Sequence, residues 1–152
     1  MRDIAQTVGT LAKPCRRPWE IDVMIEDEIL EIVRDQQDNG ERLNEIADRF
    51  RGGRDVDDLI ALLDSTDAEL TAMGAWILGE LRLDLYNFDH LISRLRRFLK
   101  HENPAVRFHA FGALFPALDW QDDAARTLLA NLRKDPNEGV RRSAEAAAAR
   151  LF

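Results

Sequence analysis

The sequence predicts an all-α protein, a short α-solenoid of about three stacked helix pairs preceded by a capping helix pair. Three observations predict it. Apolar residues recur at helical spacing through most of the chain from residue 21 onward. From Asp55 the chain repeats itself: Asp58–Leu81 aligns with Arg94–Leu118 at an offset of 36 residues, and that segment aligns with Leu128–Leu151 at 34. A short polar turn splits each unit into two helices. Units of this kind cannot bury an apolar face alone, so they stack.

The aligned columns are chemically alike. Leu59, Leu95 and Leu129 match, as do Leu62, Phe98 and Leu132, and then Leu70, Val106 and Val140. Small residues share one column, Gly74, Ala110 and Ala144, which lets helices approach closely; Leu78, Leu114 and Ala148 follow one turn on. The units fall at residues 55–83, 91–118 and 124–152 within one domain.

Taken in order, residues 1–20 read as a partly ordered arm. Ile4, Val8 and Leu11 have helical spacing, but Pro14 and Pro18 interrupt it around Cys15, Arg16 and Arg17, and Trp19 is expected to dock on the next element. Ile21–Asp35 is a strongly amphipathic helix. Ile25, Ile29, Ile32 and Val33 line one face and Glu26, Asp27, Glu28 and Glu31 the other, with Arg34 near the end where the helix dipole favours a cation. Arg42–Phe50 gives a second helix on Leu43, Ile46, Ala47 and Phe50, stopped by Gly52-Gly53. Residues 21–54 are thus a helical cap or a degenerate repeat.

The middle unit holds the most informative stretch, Pro104–Leu118. Proline in the first turn costs no hydrogen bond, and Asn103 is placed to cap it. Val106, Ala110, Ala113, Leu114 and Ala117 form a core stripe, and Pro116 is expected to bend or end the helix. Phe108, Phe111 and Phe115 fall opposite, where a surface helix is polar. Two readings stay open: an exposed binding ridge, or rings packed beneath the arm or neighbouring helices.

The turn-then-Val-Arg pattern, NPAVRFHAFGAL and NEGVRRSAEAAAARL, resembles HEAT repeats, and more specifically the short bacterial HEAT-like type found in phycobilin-lyase-type repeats. The first unit departs from it, with Thr71 at the position of Arg107 and Arg141. The resemblance implies a right-handed solenoid that serves as a curved binding scaffold, with the second helix of each pair on the concave face. That face would then carry Ala72, Ala75, Trp76 and Gly79, then Phe108, Phe111, Gly112 and Phe115, then Arg142, Glu145, Ala146 and Ala149. Partner-binding candidates on it are Trp76, Phe108, Phe111, Phe115 and Arg142, because exposed aromatics and arginine make interface hot spots.

The two connections between units supply a second candidate surface. Arg82–His90 carries Asp84, Tyr86, Phe88 and Asp89, and Asp119–Asp123 carries Trp120, Asp122 and Asp123. Both should lie on one edge of the stack, where acids beside aromatics suit an Arg- or Lys-rich partner. The competing reading is loop anchoring, with the rings tucked down and the acids capping helices.

Charge points the same way. The net charge is −7, and residues 21–69 alone carry five basic and sixteen acidic groups. Such a block disfavours nucleic acid and favours a basic protein surface, unless it is only a solubility face. No apolar run reaches membrane length, the start lacks a leader-like apolar core, and a single cysteine suits a reducing, cytoplasmic setting. Nothing resembles a catalytic, cofactor or metal site. His101-Glu102 and His109 have the wrong spacing for a zinc helix, Asp57-Asp58 and Asp122-Asp123 are sequence neighbours that diverge on a helix, and Gly52-Gly53 lacks a phosphate-loop lysine.

The sequence therefore favours a non-enzymatic protein-binding module, such as a small inhibitor of the toxin-immunity type or an adaptor. One alternative is a tetrapyrrole-binding, bilin-lyase-like protein using Trp76, Phe108 and His109. Another is a nucleic-acid binder using Arg94, Arg96, Arg97, Arg107, Arg141 and Arg142. The alanine-rich final helix, Val140–Phe152, is a candidate homodimer surface.

Overall fold

A computed structural model describes residues 24–35, 37, 40–82 and 88–152. Among them are eight α-helices and no strand. The N-terminal pair is α1 (Ile25–Arg34) and α2 (Glu41–Arg51). A 3-10 turn, Val56–Leu59, runs into α3 (Ile60–Leu63), and α4 (Ala68–Glu80) completes the first repeat. The second repeat is α5 (Asp89–Phe98) and α6 (Pro104–Leu114), the third α7 (Asp123–Leu132) and α8 (Glu138–Leu151). The expected arm, residues 1–20, lies outside the described residues.

The helix starts follow from local chemistry. Asp67, Asn103, Asp122 and Asn137 each accept a backbone N–H of the helix they precede. Pro104 occupies the first turn of α6, and α6 gives way at Phe115–Ala117 to a 3-10 turn containing Pro116.

The second helices stack against one another, α4 on α6 and α6 on α8, while α3, α5 and α7 back them. In the N-terminal pair it is the first helix, α1, that packs on α4. Arg49 of α2 holds Glu28 of α1 through two bonds of 2.8 Å, and Arg51 reaches Glu80 at the end of α4 at 2.7 Å. Ile25, Ile29 and Ile32 join Ile46, Ala47 and Phe50 in the same buried cluster as the repeat leucines.

Close approach explains the small-residue column. A Cβ on Gly74 would stand 3.0 Å from the Leu62 Cβ and 3.2 Å from Leu63 Cδ2, so α3 and α4 touch through the missing side chain. At the next joint, a Cβ on Gly79 would rest 3.5 Å from the Ala113 Cα.

One polar device recurs in the turns. Ser65, His101 and Asp135 share a column, and each accepts the N–H of the cap residue two positions on, from Asp67, Asn103 and Asn137. Six residues further along stand Thr71, Arg107 and Arg141. Arg107 Nη1 donates to the carbonyls of His101 and Glu102, and Arg141 Nη1 donates to those of Asp135 and Pro136. Thr71, the apparent departure from the pattern, does the same work at shorter range, its hydroxyl donating to the Ser65 carbonyl at 3.2 Å. Arg107 does more. Its Nε and Nη2 grip both oxygens of Asp135 in the following repeat at 2.8 Å, with the two side chains only 10% and 7% exposed.

The phenylalanine question resolves differently at each ring. Phe111 is 1% exposed and belongs to the core. Ala72 and Ala75, expected on the concave face, are buried as well. The reason is geometric. A helix inside a stack is covered on its core face and also on the flank that meets the next repeat. Ala75 and Phe111 share a column on that flank, where α6 covers α4 and α8 covers α6. A two-sided helical wheel places them outward; the neighbouring repeat buries them.

Candidate functional site

What remains open on the α4–α6–α8 face is a trough made of two adjoining hollows. One, of about 290 Å³, is lined by Trp76, Gly79 and Glu80 of α4, by Phe108, His109, Gly112 and Ala113 of α6, and by Ser143 of α8. The other, of about 260 Å³, lies between Phe111, Gly112 and Phe115 on one side and Ser143, Ala146, Ala147 and Arg150 on the other. They share Gly112 and Ser143. A Cβ at Gly112 would meet nothing within 4 Å, so this glycine leaves a bare stretch of α6 backbone in the middle of the face.

The trough's shape follows from alternation along the columns. Ala72, Phe108 and Arg142 form one column, Trp76, Gly112 and Ala146 the next, and Gly79, Phe115 and Ala149 the third. Large rings therefore stand beside small residues of adjacent repeats, giving aromatic walls above a floor of glycine, alanine and serine. Phe108 is 42% exposed and meets the His109 ring edge-on. Trp76 and Phe115 are half-buried.

Trp120 holds Phe115 in place. Its ring lies 5.1 Å from that of Phe115, and its Nε1–H donates to the Phe115 carbonyl at 3.0 Å. Arg126 in turn donates to the Trp120 carbonyl. Trp120, expected as an edge contact, is thus an anchor behind the trough wall. Burial holds the His109 imidazole below its ordinary value, so at neutral pH it adds an uncharged, amphipathic surface to the first hollow.

The expected acidic-aromatic edge is mostly occupied with structural work. Asp119 accepts the N–H of Gln121, and Asp122 caps α7. Asp123 and Asp89 are exposed in the first turns of α7 and α5, where carboxylates complement the helix dipole. Asp84 and Tyr86 lie outside the described residues. Asp122 thus serves the capping role that its place ahead of the α7 apolar positions offers.

Of the arginines that would serve nucleic acid, Arg96 and Arg97 are exposed on α5, while the other four are held by partners within the protein. Arg107 is buried on Asp135, Arg94 pairs with Asp64, Arg141 holds turn carbonyls, and Arg142 pairs with Glu138 one turn away. Arg94 also draws the Asp64 carboxyl below its usual range by direct hydrogen bonding. Arg142, a partner-binding candidate, is exposed but lines neither hollow.

The end of α8 differs from the apolar layer expected of a dimer surface. The positions equivalent to Arg107, Phe111 and Leu114 carry Arg141, Glu145 and Ala148. Phe152 is 78% exposed, with the Arg126 guanidinium 6.0 Å from its ring centre. Among the described residues, no helix is long and apolar enough to cross a membrane.

The family model described as HEAT repeats matches residues 56–149, well over half of the chain. No curated protein matches it. The matched segment begins at the 3-10 turn ahead of α3 and ends within α8, so it contains all three helix pairs, the turn device and the trough. Repeats of this kind are protein-interaction modules, and this chain belongs to the HEAT-repeat family.

Proposed function

We propose that this protein is a non-enzymatic binding module that seats a segment of a partner protein in the trough across α4, α6 and α8. It would act in the cytoplasm as a small inhibitor, of the kind an immunity protein provides against a toxin, or as an adaptor. The observation that carries the reading is Gly112, an open backbone stretch between the Trp76–Phe108 wall and the Phe115 wall. Aromatic walls with an uncovered floor give a partner side chain area to bury and backbone to approach. The acid-rich N-terminal half, net −11 over residues 21–69, favours a basic partner and speeds its encounter.

Gly112→Leu tests this directly, because the new side chain fills the trough without touching the core. The variant should melt no lower than wild type, since leucine is the better helix former. In pull-downs from the native host it should lose a partner that wild type captures near stoichiometrically. Equal capture by both proteins would refute the reading.

A tetrapyrrole is the second reading, favoured by Trp76, Phe108 and His109 lining one hollow. At about 290 Å³ that hollow is at the lower limit of small-molecule sites, which favours a protein side chain. An absorbance titration with a bilin separates the two: an unshifted spectrum removes the tetrapyrrole.

A further inference from the structure

We propose that the trough reads charge at both ends, taking a partner segment with a basic side chain at the Glu80 end and an acidic side chain at the Arg150 end. This rests on the trough being the binding face. Glu80 is the one acidic side chain lining the first hollow, and Arg150 is the one basic side chain lining the second. Neutral His109 adds no charge between them.

The two residues are matched in position. Glu80, Pro116 and Arg150 occupy one column of the repeat, so the charges stand at equivalent points on α4 and α8 with a proline between. Neighbouring helices pack about 8–10 Å apart, which puts the two positions roughly 20 Å from each other. An extended chain advances about 3.3 Å per residue with alternate side chains on opposite faces, so two side chains about six residues apart bridge that span from the same face.

Both ends have capacity to bind. Arg51 takes one oxygen of Glu80, Oε2, and is itself shared with Asp48, so the three groups keep a net negative charge. Glu80 is also the last residue of α4, where the helix dipole adds to the attraction for a cation. The walls there are Trp76 and Phe108, whose faces favour a guanidinium or ammonium stem. Arg150 is exposed and meets no carboxylate within ion-pair distance among the described residues.

Three acetylated, amidated heptapeptides serve as probes, each with five alanine or leucine residues between its end residues. One carries arginine and glutamate at its ends, one arginine at both, one glutamate at both. Binding is read from the backbone amide shifts of Gly112 and Ser143 during titration. The mixed peptide should bind about two- to fivefold more tightly than either like-charged peptide, the scale of exposed ion pairs. Glu80→Gln should erase its advantage over the glutamate peptide, and Arg150→Gln its advantage over the arginine peptide. Both positions are exposed, so the variants keep the fold, and outside the trough Glu80→Gln shifts only the surroundings of its partner Arg51.

Equal binding of all three peptides at Gly112 would overturn the charge reading and leave the trough as the binding face. No shift at Gly112 with millimolar peptide would also overturn it. The trough reading itself falls only if Gly112→Leu retains the cellular partner.

Discussion

Arg107 and Arg141 occupy one column and make the same two carbonyl bonds, yet removing them should have unequal consequences. Arg107→Ala leaves Asp135 ionised and 7% exposed with its guanidinium gone, and it also strips two turn carbonyls of a donor. Breaking a buried ion pair by deleting one partner costs about 3–5 kcal/mol. Arg141→Ala removes the carbonyl bonds alone, at a half-buried site that water reaches, and should cost about 1–1.5 kcal/mol. For a chain of this length those losses lower Tm by roughly 6–20 °C and about 2–6 °C respectively. Urea unfolding followed by helical circular dichroism measures both. In an Asp135→Ala background, Arg107→Ala should cost roughly 1–3 kcal/mol less than it does alone. The pH dependence has a definite sign. Arg107 hydrogen-bonds the Asp135 carboxylate and so holds its carboxyl below the usual carboxylate range, which makes it a source of stability that is complete above the unfolded value of about 3.9 and lost as pH falls through the folded value. Wild type and Asp135→Asn should therefore differ most above about pH 5 and converge below about pH 4. Equal costs for Arg107→Ala and Arg141→Ala, or a constant gap to Asp135→Asn across that range, would refute the argument.

Two further contrasts follow from the same geometry. Phe111→Ala should cost about 3–5 kcal/mol by urea unfolding, because the ring is buried against α8, whereas Phe108→Ala should stay within about 1 kcal/mol and weaken partner capture instead. Alanine should have opposite effects at two helical glycines. Gly74→Ala would drive a methyl onto the Leu62 Cβ and lose about 1–3 kcal/mol, while Gly112→Ala meets open space and gains up to about 1 kcal/mol of helix propensity. Matching signs at the two glycines would contradict the packing described for α3 and α4.

The helix pairs and their order were legible in the sequence because stacking imposes a column-by-column requirement that survives as periodicity. Leu59, Leu95 and Leu129 are each buried for the same reason, and the cap residues Asn103 and Asn137 announce their helices locally. Trp76 and Phe108 were also legible as trough residues. Phe111 was not, since its burial depends on a helix thirty residues away rather than on its own wheel. Thr71 looked like a break in the Val-Arg pattern, but a hydroxyl close to the backbone reaches the carbonyl that arginine reaches from further out. The acids of Asp119–Asp123 carry both a capping and a recognition signal in sequence; the structure shows Asp119 and Asp122 accepting the Gln121 and Ala125 amides.

The Arg107–Asp135 pair has a consequence for how the molecule comes apart. The joint between the first and second repeats is held by apolar contact, with Gly79 set close against Ala113, and by the solvent-facing Arg94–Asp64 ion pair. The joint between the second and third adds a buried ionic clasp. Acid removes both carboxylates, but an exposed pair contributes little beside a buried one, so protonating Asp135 loosens α7 and α8 while α4 and α6 stay together. The trough straddles both joints. Its Ser143–Arg150 side is then released before its Trp76–Phe108 side, and amide exchange below about pH 4 should speed in α8 ahead of α4. A binding face assembled from two separately fastened halves can be dismantled one half at a time.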